Sequence, residues 1–163
     1  TYGGQNYGAG KAGRVREGLR KCALACEAIT LGIMVIMTAF GGVMSSWFID
    51  GYHPEVIQQA HLYLFISALF YPALTMLFLY RNTLWGRGTG VTPMLAGVCE
   101  LLSRMIGAPV LGHFFGFTGL CWINPIAWVT ASGLLFLSYR KTMRNIRPVD
   151  PTVDASDPNK IMN

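Results

Sequence analysis

Charge is scarce in this chain. Only 13% of its 163 residues are Asp, Glu, Lys or Arg, about half the share of an ordinary soluble domain. That shortage excludes a water-soluble globule with a solvated charged shell. Cysteine is also scarce. Cys22, Cys26 and Cys99 fall in or near apolar runs and read as small hydrophobes, and Cys121 stands alone, so no disulfide framework is implied. Cys22 and Cys26 share a helix face, but without a nearby His or a second pair they make a poor zinc site. Soluble-enzyme motifs are missing too. There is no H-E-x-x-H and no G-x-S-x-G. Gly8-Ala9-Gly10-Lys11 fails as a phosphate loop, because Gln5 and Ala12 stand where Gly and Ser/Thr are required. Gly86-Arg87-Gly88-Thr89-Gly90 follows an apolar span, not a strand. An enzyme, a cofactor and a metal centre are therefore not expected.

What the chain has is apolar length, with 52% of its residues hydrophobic. The basic residues are placed between the long runs. Lys11, Arg14, Arg16, Arg20 and Lys21 precede the first. Arg81 and Arg87 follow the second. Arg140, Lys141, Arg144, Arg147 and Lys160 follow the fourth. The two connections on the other side, 49–55 and 116–124, hold no Lys or Arg. This alternation is the positive-inside pattern of a multi-pass membrane protein with both ends in the cytoplasm. The net charge of +5 then belongs to contacts with anionic lipid headgroups rather than with nucleic acid.

The predicted architecture is all-α and polytopic, with four transmembrane helices. Residues 1–21 form a Gly-rich, turn-rich and then basic cytoplasmic entry. The first span is 22–48, with small-residue pairs Gly41/Ser45 and Gly42/Ser46 that let another helix approach closely. Pro54 opens the second span, 56–80, which Pro72 kinks. Residues 81–90 return the chain on the cytoplasmic side. The third span is 91–115. After the connection 116–124, Asn124 caps a last helix with Pro125 in its first turn. The four-helix part extends over 22–147, and the Pro- and Asp-rich segment 148–163 reads as a disordered cytoplasmic tail.

Glu100 and Arg104 carry the sharpest chemical signal. Four apart, they share one helix face inside a 25-residue apolar run (91–115). A charge there is costly, so both face protein or a water-filled cavity and pair. The pair is either a fixed bond between helices or part of a substrate or ion path in which Glu100 titrates. Glu27 reaches the cytoplasmic interface or faces a cavity. Tyr63, Phe65, Phe70 and Tyr71 cluster around Pro72, as packing or as a pocket for flat substrates. His53, His61 and His113 read as hydrogen-bonded interface residues.

At this point the chain resembles the multidrug and toxic compound extrusion (MATE) transporters. The segment Gly4-Gln5-Asn6-Tyr7-Gly8-Ala9-Gly10-Lys11, followed by Arg14, resembles the family's cytoplasmic "GQN-x-GAG" segment. Arg81-Asn82-Thr83-Leu84-Trp85-Gly86-Arg87-Gly88 resembles its "R-x-x-L-x-G-x-G" exit. Pro93-Met94 with Glu100 and Arg104 resemble the next helix, and Gly116, Gly119 and Pro125-Ile126-Ala127-Trp128 resemble the last connection and helix. The likeness covers roughly 3–145. It implies twelve helices in two lobes, of which this chain holds the end of helix eight and helices nine to twelve, with the N-terminal lobe as its partner. It implies a secondary antiporter in the plasma (inner) membrane that exports organic, often cationic, compounds in exchange for Na⁺ or H⁺. The stretch matching helix ten, 56–80, has no Asp or Glu, which moves ion coupling toward the other lobe. Glu100, Arg104, Glu27 and Tyr71 are the pathway candidates. A flippase of lipid-linked sugars in the same superfamily, and a four-helix scaffold without transport, are the alternatives.

Overall fold

The computed structural model describes residues 1–47, 53–88 and 90–145, all of it helix and short turns. Five helical elements follow one another: α1 (Tyr2–Gly8), α2 (Ala12–Ser46), α3 (Pro54–Leu69), α4 (Tyr71–Gly86) and α5 (Val91–Arg144). α2 and α5 are long and apolar enough to cross a membrane, and α3 with α4 makes a third candidate if the bent pair is one span. The acidic connection 49–55 lies largely, and the tail 148–163 wholly, outside the described residues.

The second apolar run breaks where proline dictates. Pro72 lacks the N–H that a continuous helix would use. Phe70 accordingly leaves helical geometry, and Pro72 takes up the first turn of the new helix α4. The two halves meet at 50°. Pro54 opens α3 as expected. α4 then runs on to Gly86, so Arg81 and its followers are helical rather than a returning loop. Leu84 is buried there, and that apolar anchoring extends the helix past the first charge.

α5 is one element only by name. Gly116 has φ 58° and ψ −142°, a conformation open to glycine and strained for residues with a Cβ. At this point the chain reverses. A Cβ on Gly107 would lie 3.9 Å from Ile123, and one on Gly112 would lie 3.0 Å from Leu120. In a continuous helix the first of these pairs would stand about 24 Å apart. Residues 91–115 and 117–144 are thus the two arms of a helical hairpin. A Cβ on Gly119 would overlap the Leu111 carbonyl oxygen, so the arms touch backbone to backbone. The expected connection 116–124 is corrected to a single-residue reversal. Asn124 is no helix cap: it lies within the second arm and donates from Nδ2 to the Tyr63 hydroxyl at 2.9 Å.

The core forms where α4 packs on both arms of α5, around Leu77, Leu84, Ala96, Trp128, Ala131 and Leu135. Gly41 and Ser45 are buried, and the Gly41 side of α2 meets His61 and Leu64 of α3, as the small-residue spacing predicted. The N-terminal segment departs from expectation, since it folds as α1 and not as turns. Its Gly4 meets the Gly86 backbone so closely that a Cβ would overlap the Gly86 carbonyl.

Candidate functional site

The two charges of the third apolar run are joined by one from another helix. Arg81, five residues from the end of α4, forms an ion pair with Glu100 Oε1, and Arg104 approaches Glu100 Oε2 at 3.6 Å. The Arg81 and Glu100 side chains are 17% and 14% exposed, against 47% for Arg104. The expected Glu100–Arg104 pair is therefore the weaker of two contacts, and Arg81 is the partner that sequence reasoning missed. Taking residues 81–90 as a loop put Arg81 outside the apolar layer. The signal against it was the apolar Leu84-Trp85 pair beyond it, which continues the helix. With two guanidiniums against one carboxylate, the group as a whole carries a net positive charge.

Glu27 differs in kind. It is half-buried on α2, and among the described residues no hydrogen bond or ion pair reaches it. Its neighbours on the helix line two adjoining hollows of one groove between α2 and α4. The outer part, about 660 Å³, lies among α1, the start of α2 and the end of α4, with Arg14, Lys21, Cys22, Asn82 and Thr83 in its wall. The inner part, about 380 Å³, is lined by Cys26, Ile29, Thr30, Thr75, Phe78 and Leu79. Leu79 and Asn82 belong to both. The groove ends at a hydrogen bond of 2.8 Å between the Thr30 and Thr75 hydroxyls. Glu27, one turn before Thr30, is the carboxylate nearest that inner end along α2.

Tyr71 is not placed with these charges. Its ring packs on Trp128, centroids 6.2 Å apart, beside the main core, while Phe70 meets Trp122 edge-on at 5.5 Å. Of the histidines, His61 lies with its Nε2 3.4 Å from the Thr38 carbonyl. The structure thus joins Glu100 to Arg104, and leaves Glu27 and Tyr71 apart from them and from each other.

The basic flanks gather at one end. Arg16 donates to the Met143 carbonyl at 3.1 Å, and Arg87 donates to the Thr142 hydroxyl at 2.7 Å. The Arg87 guanidinium also lies 5.0 Å from the centre of the Tyr7 ring. Val15, Tyr139 and Met143 form a small core beneath them. The two segments that carried the resemblance, around Gly4 and Gly86, are in direct contact here. Among known proteins, the MatE family model matches residues 1–110. No curated protein matches the chain, and no solved structure does.

Proposed function

The chain belongs to the MatE family, a family of membrane transporters, and from that premise we propose that it works as part of a secondary antiporter. In this reading it exports organic, often cationic, compounds against an inward flow of Na⁺ or H⁺ across the plasma (inner) membrane. The helices cross the bilayer four times, once each by α2, by α3 with α4, and by the two arms of α5. Both ends are cytoplasmic, which the clustering of the basic flanks at one end of the bundle supports. A second lobe, supplied by further chain, faces these helices across a central cavity, and one lobe rocks against the other.

Within this chain, the observation that bears on coupling is Glu27, which lies on α2 and outside the acid-free stretch 56–80 that moves coupling toward the other lobe. A carboxylate within an apolar helix, without a cationic partner, is one that a proton or a cation can neutralise. Glu100 already has two guanidiniums, so it acts as a bond between α4 and α5. A site that binds the coupling ion in one conformation and substrate in the other links the two flows through its differential affinities. The test is ion-driven efflux of a cationic dye from vesicles of cells producing the protein. Glu27→Gln is expected to cut efflux at least tenfold at unchanged protein level, and Glu27→Asp to retain part of it. Wild-type efflux by Glu27→Gln would remove this reading.

One observation favours the alternative flippase. Arg81 and Arg104 together give the Glu100 group its net positive charge, and such a group suits an anionic lipid-linked sugar better than a cation. Transport of a cationic dye separates the two readings.

A further inference from the structure

The outer and inner parts of the groove meet beside a pair of thiols. Cys22 lines the outer part and Cys26 the inner. Their sulfurs are 3.9 Å apart, and both cysteines are free. Successive turns of a helix place side chains at i and i+4 over one another, so the spacing is held by the backbone of α2. Among the described residues no group of three or more His, Cys, Asp or Glu could share a metal. That excludes the tetrahedral set that zinc takes in structural sites. A pair of thiolates without further donors suits soft ions, which sulfur ligands select.

We propose that Cys22 and Cys26 form a two-sulfur site for a thiophilic ion, monovalent copper or trivalent arsenic, at the cytoplasmic mouth of the groove. Metal–sulfur bonds of about 2.3 Å on each side span about 4.6 Å when collinear. For copper the sulfurs therefore need to part by less than about 1 Å, and for arsenic, whose two bonds to sulfur meet near a right angle rather than in line, they need to close by less than about 1 Å, each a small rotation of two side chains. With Cu(I), two S–H bonds break, two Cu–S bonds form and two protons leave to solvent, with no change in oxidation state. With an organoarsenic oxide, two As–S bonds replace the As=O bond and one water departs. The bis-thiolate copper complex is an anion, and the outer groove that Cys22 lines also carries Arg14 and Lys21 in its wall, with Glu17 paired to Lys21 at 2.7 Å. The other thiols do not compete. Cys99 and Cys121 lie on opposite arms of α5, and Cys121 is fully buried.

Purified, reduced protein titrated with phenylarsine oxide is expected to lose two titratable thiols per arsenic bound. Tryptic mapping reads the position without any variant. Residues 22–81 contain no internal Lys or Arg, so Cys22 and Cys26 fall on one peptide, apart from Cys99 and Cys121. The arsenical mass belongs on that peptide. Cu(I) offered in competition with bicinchoninate is expected to bind at one equivalent, and Cys22→Ser and Cys26→Ser are each expected to weaken it at least a hundredfold. Cys99→Ser should bind as wild type does. Arsenic on another peptide, no copper bound by the wild type, or undiminished binding by either single variant overturns the site.

Discussion

Removing Arg81 is expected to damage the protein far more than removing Arg104, although both contact the same carboxylate. Arg81→Ala deletes the more buried partner of Glu100 and leaves the carboxylate with one half-exposed guanidinium at 3.6 Å. Breaking a buried pair from one side costs about 3–5 kcal/mol. Arg104→Ala leaves the Arg81–Glu100 pair intact and deletes a contact of the exposed kind, worth about 0–1 kcal/mol. For a chain of this size each kcal/mol moves the melting temperature by about 2–4 °C. Arg81→Ala should therefore melt about 6–20 °C below wild type, and Arg104→Ala no more than about 4 °C below. Thermal unfolding in detergent can be followed by the four tryptophans, with membrane protein level measured alongside. The double change Arg81→Met with Glu100→Leu removes both ends of the pair and should recover most of the loss. Equal damage from the two single arginine variants, or no recovery in the double, would refute the assignment of Arg81 as the principal partner.

The hairpin of α5 gives a sharper packing test. Gly119→Ala pushes a methyl into the Leu111 carbonyl and should cost about 1–3 kcal/mol, whereas Gly133→Ala, with nothing within 4 Å of the new Cβ, should gain up to about 1 kcal/mol of helix propensity. Unfolding midpoints of the two variants check the pair, and equal effects would mean that the arms do not touch at Gly119. The topology is tested by single cysteines in a cysteine-free background. A cysteine at 118 is expected to react with an impermeant reagent from outside, and one at 11 only after permeabilisation; the reverse pattern would invert the orientation.

The membrane class, the gathering of basic flanks at one end and the family were legible in the residues, because each rests on local properties. Apolar length sets what can cross a bilayer, flanking Lys and Arg set which side they face, and Pro72 marks where one helix ends and the next opens, while Pro109 and Pro125 stay inside helix. The order of motifs around Gly4, Arg81 and Glu100 likewise needs no coordinates, and the family match over 1–110 agrees with it. Tertiary structure alone decided which charge meets which. Glu100 and Arg104 are four apart on one helix, but α4 packed against α5 brings Arg81 to the carboxylate from nineteen positions away. No periodicity along the chain records that approach. The same holds for the reversal at Gly116. A glycine in an apolar run is compatible with helix or turn, and the backbone contact of Gly119 with Leu111 shows which conformation the chain takes. Glu27 and Glu100 look alike as isolated acids in apolar stretches. Only the packing of guanidiniums around one and not the other makes them chemically different.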